Sequence, residues 1–231
     1  MIKEKVLVIE PHSDDGVISI GGFLEKYREK YEYHFFLVVA SDMHLHHNKD
    51  LLRIQRLAEY EDYVNHFNGV WHKGDIGGYQ LPLDNDARLD MFPRKDLVAI
   101  IERVIQEVKP DILMVQGPSF HQDHTAVFEA TIAATRPTSL FFPEEIYFLE
   151  NPTYVHSTIP QSRFLPNCYV SLSEELIKKK LQCYRDCFPS QIRGDASNCL
   201  SEEGLISWAR YRGIEARCQY AEALNIFIRR I

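Results

Sequence analysis

No stretch of the 231 residues approaches the roughly 18 consecutive apolar positions that a membrane-crossing helix requires. Met1–Lys5 leads straight into a strand-like run, so no signal peptide is expected, and the chain reads as soluble and cytoplasmic. Cysteine is scarce. The five thiols (Cys168, Cys183, Cys187, Cys199 and Cys218) contain no C-x-x-C pair, and their odd number argues against a disulfide framework. Cys183 and Cys187 stand at helical spacing and are expected to face a core as reduced thiols. A basic excess is also missing, with 26 Lys and Arg against 33 Asp and Glu and a formal net charge of −7. That balance excludes nucleic acid and anionic membrane as natural partners, and the short basic runs at 178–180 and 229–230 read as solvated faces. Finally, no G-x-G-x-x-G follows the first strand, so a nucleotide-binding Rossmann protein has only Gly21-Gly22 in its favour.

What the chain does have is alternation of strand and helix. Val6–Ile9 is a short β-branched run closed by Pro11, and His34–Ala40 is apolar without alternation, as a strand covered on both faces requires. A helix is predicted between them, from about Val17 to Lys30, and another over Asp50–Phe67 with Gly69 as its stop. Lys73–Phe92 is rich in Gly, Asp and Pro and reads as a long functional loop. Leu97, Ile100, Ile101, Val104, Ile105 and Val108 form the cleanest helical stripe, ended by Pro110. A third buried strand at Asp111–Gln116 and a helix from Asp123 to about Thr135 follow. Beyond them, Ile146–Leu149 and Cys168–Val170 read as short strands, Ser173–Phe188 as a helix capped by Ser173, and Leu205–Tyr211 as helical. The pattern predicts one α/β domain over residues 1–231, a Rossmann-like three-layer sandwich with a mostly parallel central sheet and helices on both faces.

In such sheets ligands bind beyond the carboxyl ends of the strands. Two polar clusters lie there: Pro11-His12-Ser13-Asp14-Asp15 after the first strand and His121-Gln122-Asp123-His124 after the third. Alone, Asp14-Asp15 reads as a helix cap, and His-x-x-His is a weak signal. Together they bring three imidazoles and three carboxylates to one sheet edge, a nitrogen and oxygen donor set suited to zinc or another divalent transition ion. Buried charges are costly unless paired or metal-bound, which favours the joint reading.

With these residues in place the chain resembles the PIG-L/LmbE-like zinc-dependent N-deacetylases. The resemblance runs through P-H-S-D-D with Gly21-Gly22, then Arg56, Glu59 and Gly69-Val70, H-x-D-H-x-A-V at His121–Val127, Ser190-Gln191 and Tyr220–Ala223. It implies His12, Asp15 and His124 as metal ligands and Asp14 as general base. It further implies His121 as the imidazole that stabilises the oxyanion or protonates the leaving amine, with Asp123 supporting the histidines. Ser13 replaces the usual proline. Gly16 stands where many relatives carry an acidic or apolar residue, and no tyrosine precedes His121, a gap that Tyr79 is a candidate to fill.

Arg56 and Asp84 are expected to contact substrate; for Arg56 the competing reading is a helix-surface pair with Glu59. The His-rich loop at residues 44–47 reads as polar lining of the cleft mouth, and His66 and His72 as helix-end and strand-end residues. The expected activity is hydrolysis of an N-acetyl group on a small amino sugar or its conjugate, releasing acetate and a free amine. A non-catalytic metal-binding protein on the same fold is the other alternative, and homo-oligomerisation is left open.

Overall fold

The computed structural model describes residues 3–45, 49–154 and 163–231. Strand β1 (Glu4–Glu10) leads into helix α1 (Asp15–Lys26) and β2 (Tyr31–Leu37). A small hairpin, β3 (Met43–Leu45) and β4 (Lys49–Leu51), precedes helix α2 (Arg53–His66) and the edge strand β5 (Val70–Trp71). The predicted long loop contains a second hairpin, β6 (Gly74–Ile76) and β7 (Tyr79–Leu81), and a 3-10 turn at Leu89–Met91. Then come α3 (Arg94–Val108), β8 (Ile112–Gln116), α4 (Gln122–Ala134) and β9 (Glu145–Leu149). The remainder is β10 (Cys168–Leu172), α5 (Glu174–Cys187), α6 (Glu202–Glu215) and β11 (Tyr220–Arg229).

Seven strands form the central sheet in the order β10-β11-β9-β8-β1-β2-β5. All pairings from β9 to β5 are parallel, while β11 runs antiparallel between β9 and β10. Successive side chains of a strand point to opposite faces, so Val6 and Val8 enter one core and Leu7 and Ile9 the other. The first core packs α1, α2, α5 and α6; the second packs α3 and α4. The predicted α3 stripe is buried along its whole length, and each such side chain contributes on the order of 1.5–3 kcal/mol. Lys109, in left-handed conformation, ends the helix just before Pro110.

Three expectations need correction. The Lys73–Phe92 segment is not a simple loop, because its positive-φ glycines Gly77 and Gly78 build the β6–β7 turn. Asn68 takes the left-handed position that Gly69 was expected to occupy. And α1 stops at Lys26, with the chain turning at Tyr27–Lys30 before β2 begins at Tyr31.

Helix α1 is also broken inside, at Ile20 (φ −134°, ψ 19°). The break releases the carbonyl of Ile18 and the N–H groups of Gly22 and Phe23 from the helix ladder. Lys180 Nζ donates to that carbonyl at 2.6 Å, and Glu222 accepts from Gly22 and Phe23 at 2.8 and 2.7 Å. Lys180 and Glu222 are themselves paired at 2.7 Å and almost fully buried. A side chain at Gly22 would put its Cβ 2.4 Å from Leu172 Cδ1 and 3.1 Å from Glu222 Oε1, so glycine permits this close approach without displacing either side chain. The Gly-Gly pair and the Tyr220–Ala223 segment thus meet across the fold.

Candidate active site

Strands β1 and β8 are parallel neighbours, so their carboxyl ends abut. The residues after β1 turn into α1 with Asp14 at the cap position, yet the Asp14 carboxylate makes no capping hydrogen bond. The capping role is therefore not what holds it there. After β8 the chain crosses to α4, whose cap is His121: its Nδ1 accepts the Asp123 N–H at 3.2 Å. With Nδ1 acting as an acceptor, the proton of a neutral His121 sits on Nε2.

Residues 112 positions apart meet at this edge, where His12 Nδ1 lies 3.1 Å from His124 Nε2. Asp15 Oδ2 lies 3.5 Å from the same His12 nitrogen and 3.2 Å from the same His124 nitrogen. The other face of the His12 ring meets Asp123 Oδ2 at 3.0 Å and Asp86 Oδ1 at 3.4 Å. His121 adds a ring nitrogen within 4.8 Å of those of His12 and His124. His12, Asp15, Asp123 and His124 are all buried.

These contacts set the electrostatics. Burial alone would lower His12, but hydrogen bonds to Asp123, Asp15 and Asp86 raise its proton affinity well above the ordinary imidazole. Burial would raise Asp15, yet His124 and His12 hold it far below the usual carboxylate range. Asp14 has no such partner: burial first, then the charge of Asp15, push it up to about 6 against weaker pulls from His12 and Arg56. His121 is pushed down to about 4 by burial and by the neighbouring His12 and His124. Among the described residues, the carboxylates of Asp14, Asp15, Asp86 and Asp123 face the site with the guanidinium of Arg56, an excess of negative charge that attracts a cation.

The donor set fits a tetrahedral ion. Ligands about 2.0–2.1 Å from zinc stand about 3.3–3.4 Å from one another. The three separations among His12 Nδ1, His124 Nε2 and Asp15 Oδ2 run from 3.1 to 3.5 Å. His12 also shows the support that metal-binding imidazoles usually have, a carboxylate on the opposite ring nitrogen.

Residues 7–135 match the sequence profile of PIG-L, described as GlcNAc-PI de-N-acetylase. The chain belongs to the PIG-L family. The search of curated proteins returned no match. Among solved structures, PIG-L fold neighbours include the A40926 pseudoaglycone deacetylase Dbv21, with TM-score 0.70, 20% identity and 100% of both chains covered. Another is the N,N'-diacetylchitobiose deacetylase of Pyrococcus horikoshii, with TM-score 0.64, 22% identity, and 97% of this chain and 84% of that one covered. The fold is also similar to GalB, the 4-carboxy-2-hydroxymuconate hydratase of Pseudomonas putida KT2440, with TM-score 0.68, 19% identity, and 99% and 98% covered. At these identities the likeness establishes a shared fold, on which more than one reaction is found.

Of the other residues singled out in the sequence, Arg56 connects to the site. Arg56 is buried, donates to the Ser41 carbonyl at 3.3 Å and pairs with Asp86, which in turn faces His12. It does not pair with Glu59, whose carboxylate instead accepts from Ser190 N and Oγ at 3.0 and 2.6 Å. Asp84 is exposed and is not brought into the cluster; Asp86, two residues on, is. Tyr79, on the β6–β7 hairpin, donates to Asp96 at 2.6 Å and meets Phe92 edge to face, so it is committed there. His46 and His47 lie outside the described residues.

Three residues escaped the sequence reading. Asn151 Nδ2 donates to Asp15 Oδ1 at 2.7 Å, holding the carboxylate from below. It follows β9, so the rule of the strand carboxyl ends was the signal that pointed to it. Asp86 was masked by an equally plausible Asp84. Tyr154 packs its ring 4.8 Å from that of His121 and 4.7 Å from that of His124, a contact with no local sequence mark. Below the site, the buried Glu10 carboxyl is pushed up by burial and takes a hydrogen bond from Tyr60. A Cβ on Gly16 would fall 1.9 Å from Glu10 Oε1 and 2.5 Å from the Tyr63 hydroxyl, so glycine suits this packing.

Proposed function

We propose that this PIG-L family member is a metal-dependent N-deacetylase acting on a small N-acetylated amino sugar or its conjugate. The observation that carries the reading is the convergence of His12 Nδ1, His124 Nε2 and Asp15 Oδ2 in a triangle of tetrahedral dimensions, with Asp14 alongside and unpaired. His12, Asp15 and His124 would hold a zinc-type ion, which supplies Lewis acidity and lowers the pKa of a water toward about 7.

The protein groups divide the proton work. Asp14, raised to about 6, is matched to accept a proton from the attacking water near neutral pH. As the C–N bond breaks, the same carboxyl returns that proton to the departing amine, leaving acetate and the free amino group. His121, lowered to about 4, is neutral at that pH and offers Nε2–H to the carbonyl oxygen as negative charge develops there. Asp123 orients His12 and, by accepting from Ala87 N at 2.6 Å and Leu89 N at 2.9 Å, ties the 87–89 segment to the site. Arg56, buried and committed to Asp86, would act on a hydroxyl-rich ligand through the position of that carboxylate and not by direct contact from the mouth.

Acetate release from zinc-loaded protein decides the substrate class. N-acetylated amino sugars are expected to turn over faster than N-acetylated amino acids of similar size. The opposite preference would overturn the sugar assignment, and hydration of an unsaturated acid with no acetate released would replace the reaction itself.

A further inference from the structure

A second set of metal-type donors lies away from the site just described, at the junction of α1, α2 and α5. His66 ends α2, and Cys183 and Cys187 stand one turn apart on the inward face of α5. One donor atom from each lies within 4.8 Å of the other two. Both thiols are free and almost fully buried. Glu25, near the end of α1, binds His66 Nε2 at 2.6 Å, the carboxylate–imidazole arrangement that commonly backs a metal ligand.

We infer that His66, Cys183 and Cys187 form a second, thiolate-rich site for a zinc-type cation, with Glu25 as the carboxylate that orients or completes it. The charges close. Binding releases one proton from each thiol, so two thiolates balance the dication, while Glu25 balances Arg28, whose Nη1 lies 3.9 Å away. Zinc–sulfur bonds of 2.3 Å place paired thiolates about 3.8 Å apart, so the donors need to close by only about 1 Å from their 4.8 Å limit. A way in exists as well: an open groove of about 480 Å³, lined by Glu25, Arg28, His66 and Gln182, leads to the imidazole. An ion here would join three helices that pack on one face of the sheet, two of which, α1 and α2, carry Asp15 and Arg56.

Cadmium or cobalt titration of the whole protein tests this directly, because thiolate ligation gives a sulfur-to-metal charge-transfer band that a site of imidazoles and carboxylates lacks. The wild type should show the band and bind about one equivalent more than Cys183→Ser or Cys187→Ser, both of which should lose it. His66→Gln should weaken the band's titration at least tenfold. His12→Ala should keep the band while losing the other equivalent, so failure here and failure of the deacetylase reading are separable. Absence of the band in folded wild-type protein, or a band that survives both serine substitutions, overturns the inference.

Discussion

At the scale of the residue, neighbouring carboxylates of the candidate site are treated differently. Asp15 accepts from His12 N at 2.8 Å and from Asn151 at 2.7 Å, so it is held ionised, while Asp14 is left half-buried beside its charge. Asn151→Leu should leave that buried carboxylate short of a donor and weaken metal binding by about 10–100-fold. Chelator competition measures it, and an unchanged affinity would remove Asn151 from the site. A separate pair of imidazoles predicts pH dependence. His34 and His72 contact each other at 2.9 Å, and burial lowers both below the ordinary imidazole. The unfolded chain then takes up protons at about pH 6.5 that the folded chain refuses, so stability falls as pH drops below that value. Urea midpoints at about pH 7.5 and about pH 5.5 should differ less in His34→Gln/His72→Gln than in the wild type. An equal difference would mean that the pair carries none of the slope.

At the scale of the element, what was legible in the sequence was what hydrophobic pattern controls. The α3 stripe, the buried strands after Lys5 and after Pro110, and the Ser173 cap, which accepts from Leu176 N at 3.3 Å, all follow from local rules. Strand β11 was not legible, because Glu222 interrupts its apolar pattern. That glutamate is there to bind the broken turn of α1, a partner 200 residues away. The hairpins β3–β4 and β6–β7 were missed for the related reason that short, polar strands carry no periodicity. The α1 break gives a test at this scale. Glu222→Ala strands Lys180 in the interior and should cost about 3–5 kcal/mol, the usual penalty for splitting a buried ion pair. Lys180→Met/Glu222→Gln keeps one acceptor for the freed N–H groups and should recover a large part of that loss in urea unfolding. A Glu222→Ala variant as stable as wild type would contradict the role given to the pair.

At the scale of the whole molecule, a parallel sheet carries two short motifs from distant parts of the chain to one edge. That both motifs lie at one edge was readable, since parallel strands put their carboxyl ends on the same side; that β1 and β8 are direct neighbours was not. Of the residues that close over them, Asn151 could have been sought after β9 by the same rule, whereas Asp86 and Tyr154 arrive by tertiary packing and not by spacing. On the function proposed above, holding a metal and moving a proton would fall to different residues, with Asp14 taking the second task. Acetate release by metal-loaded Asp14→Asn, normalised to bound metal, tests that assignment most directly. The account predicts metal content equal to wild type with turnover reduced by about 10²–10⁴-fold. Turnover within a few-fold of wild type at the same metal content would contradict it.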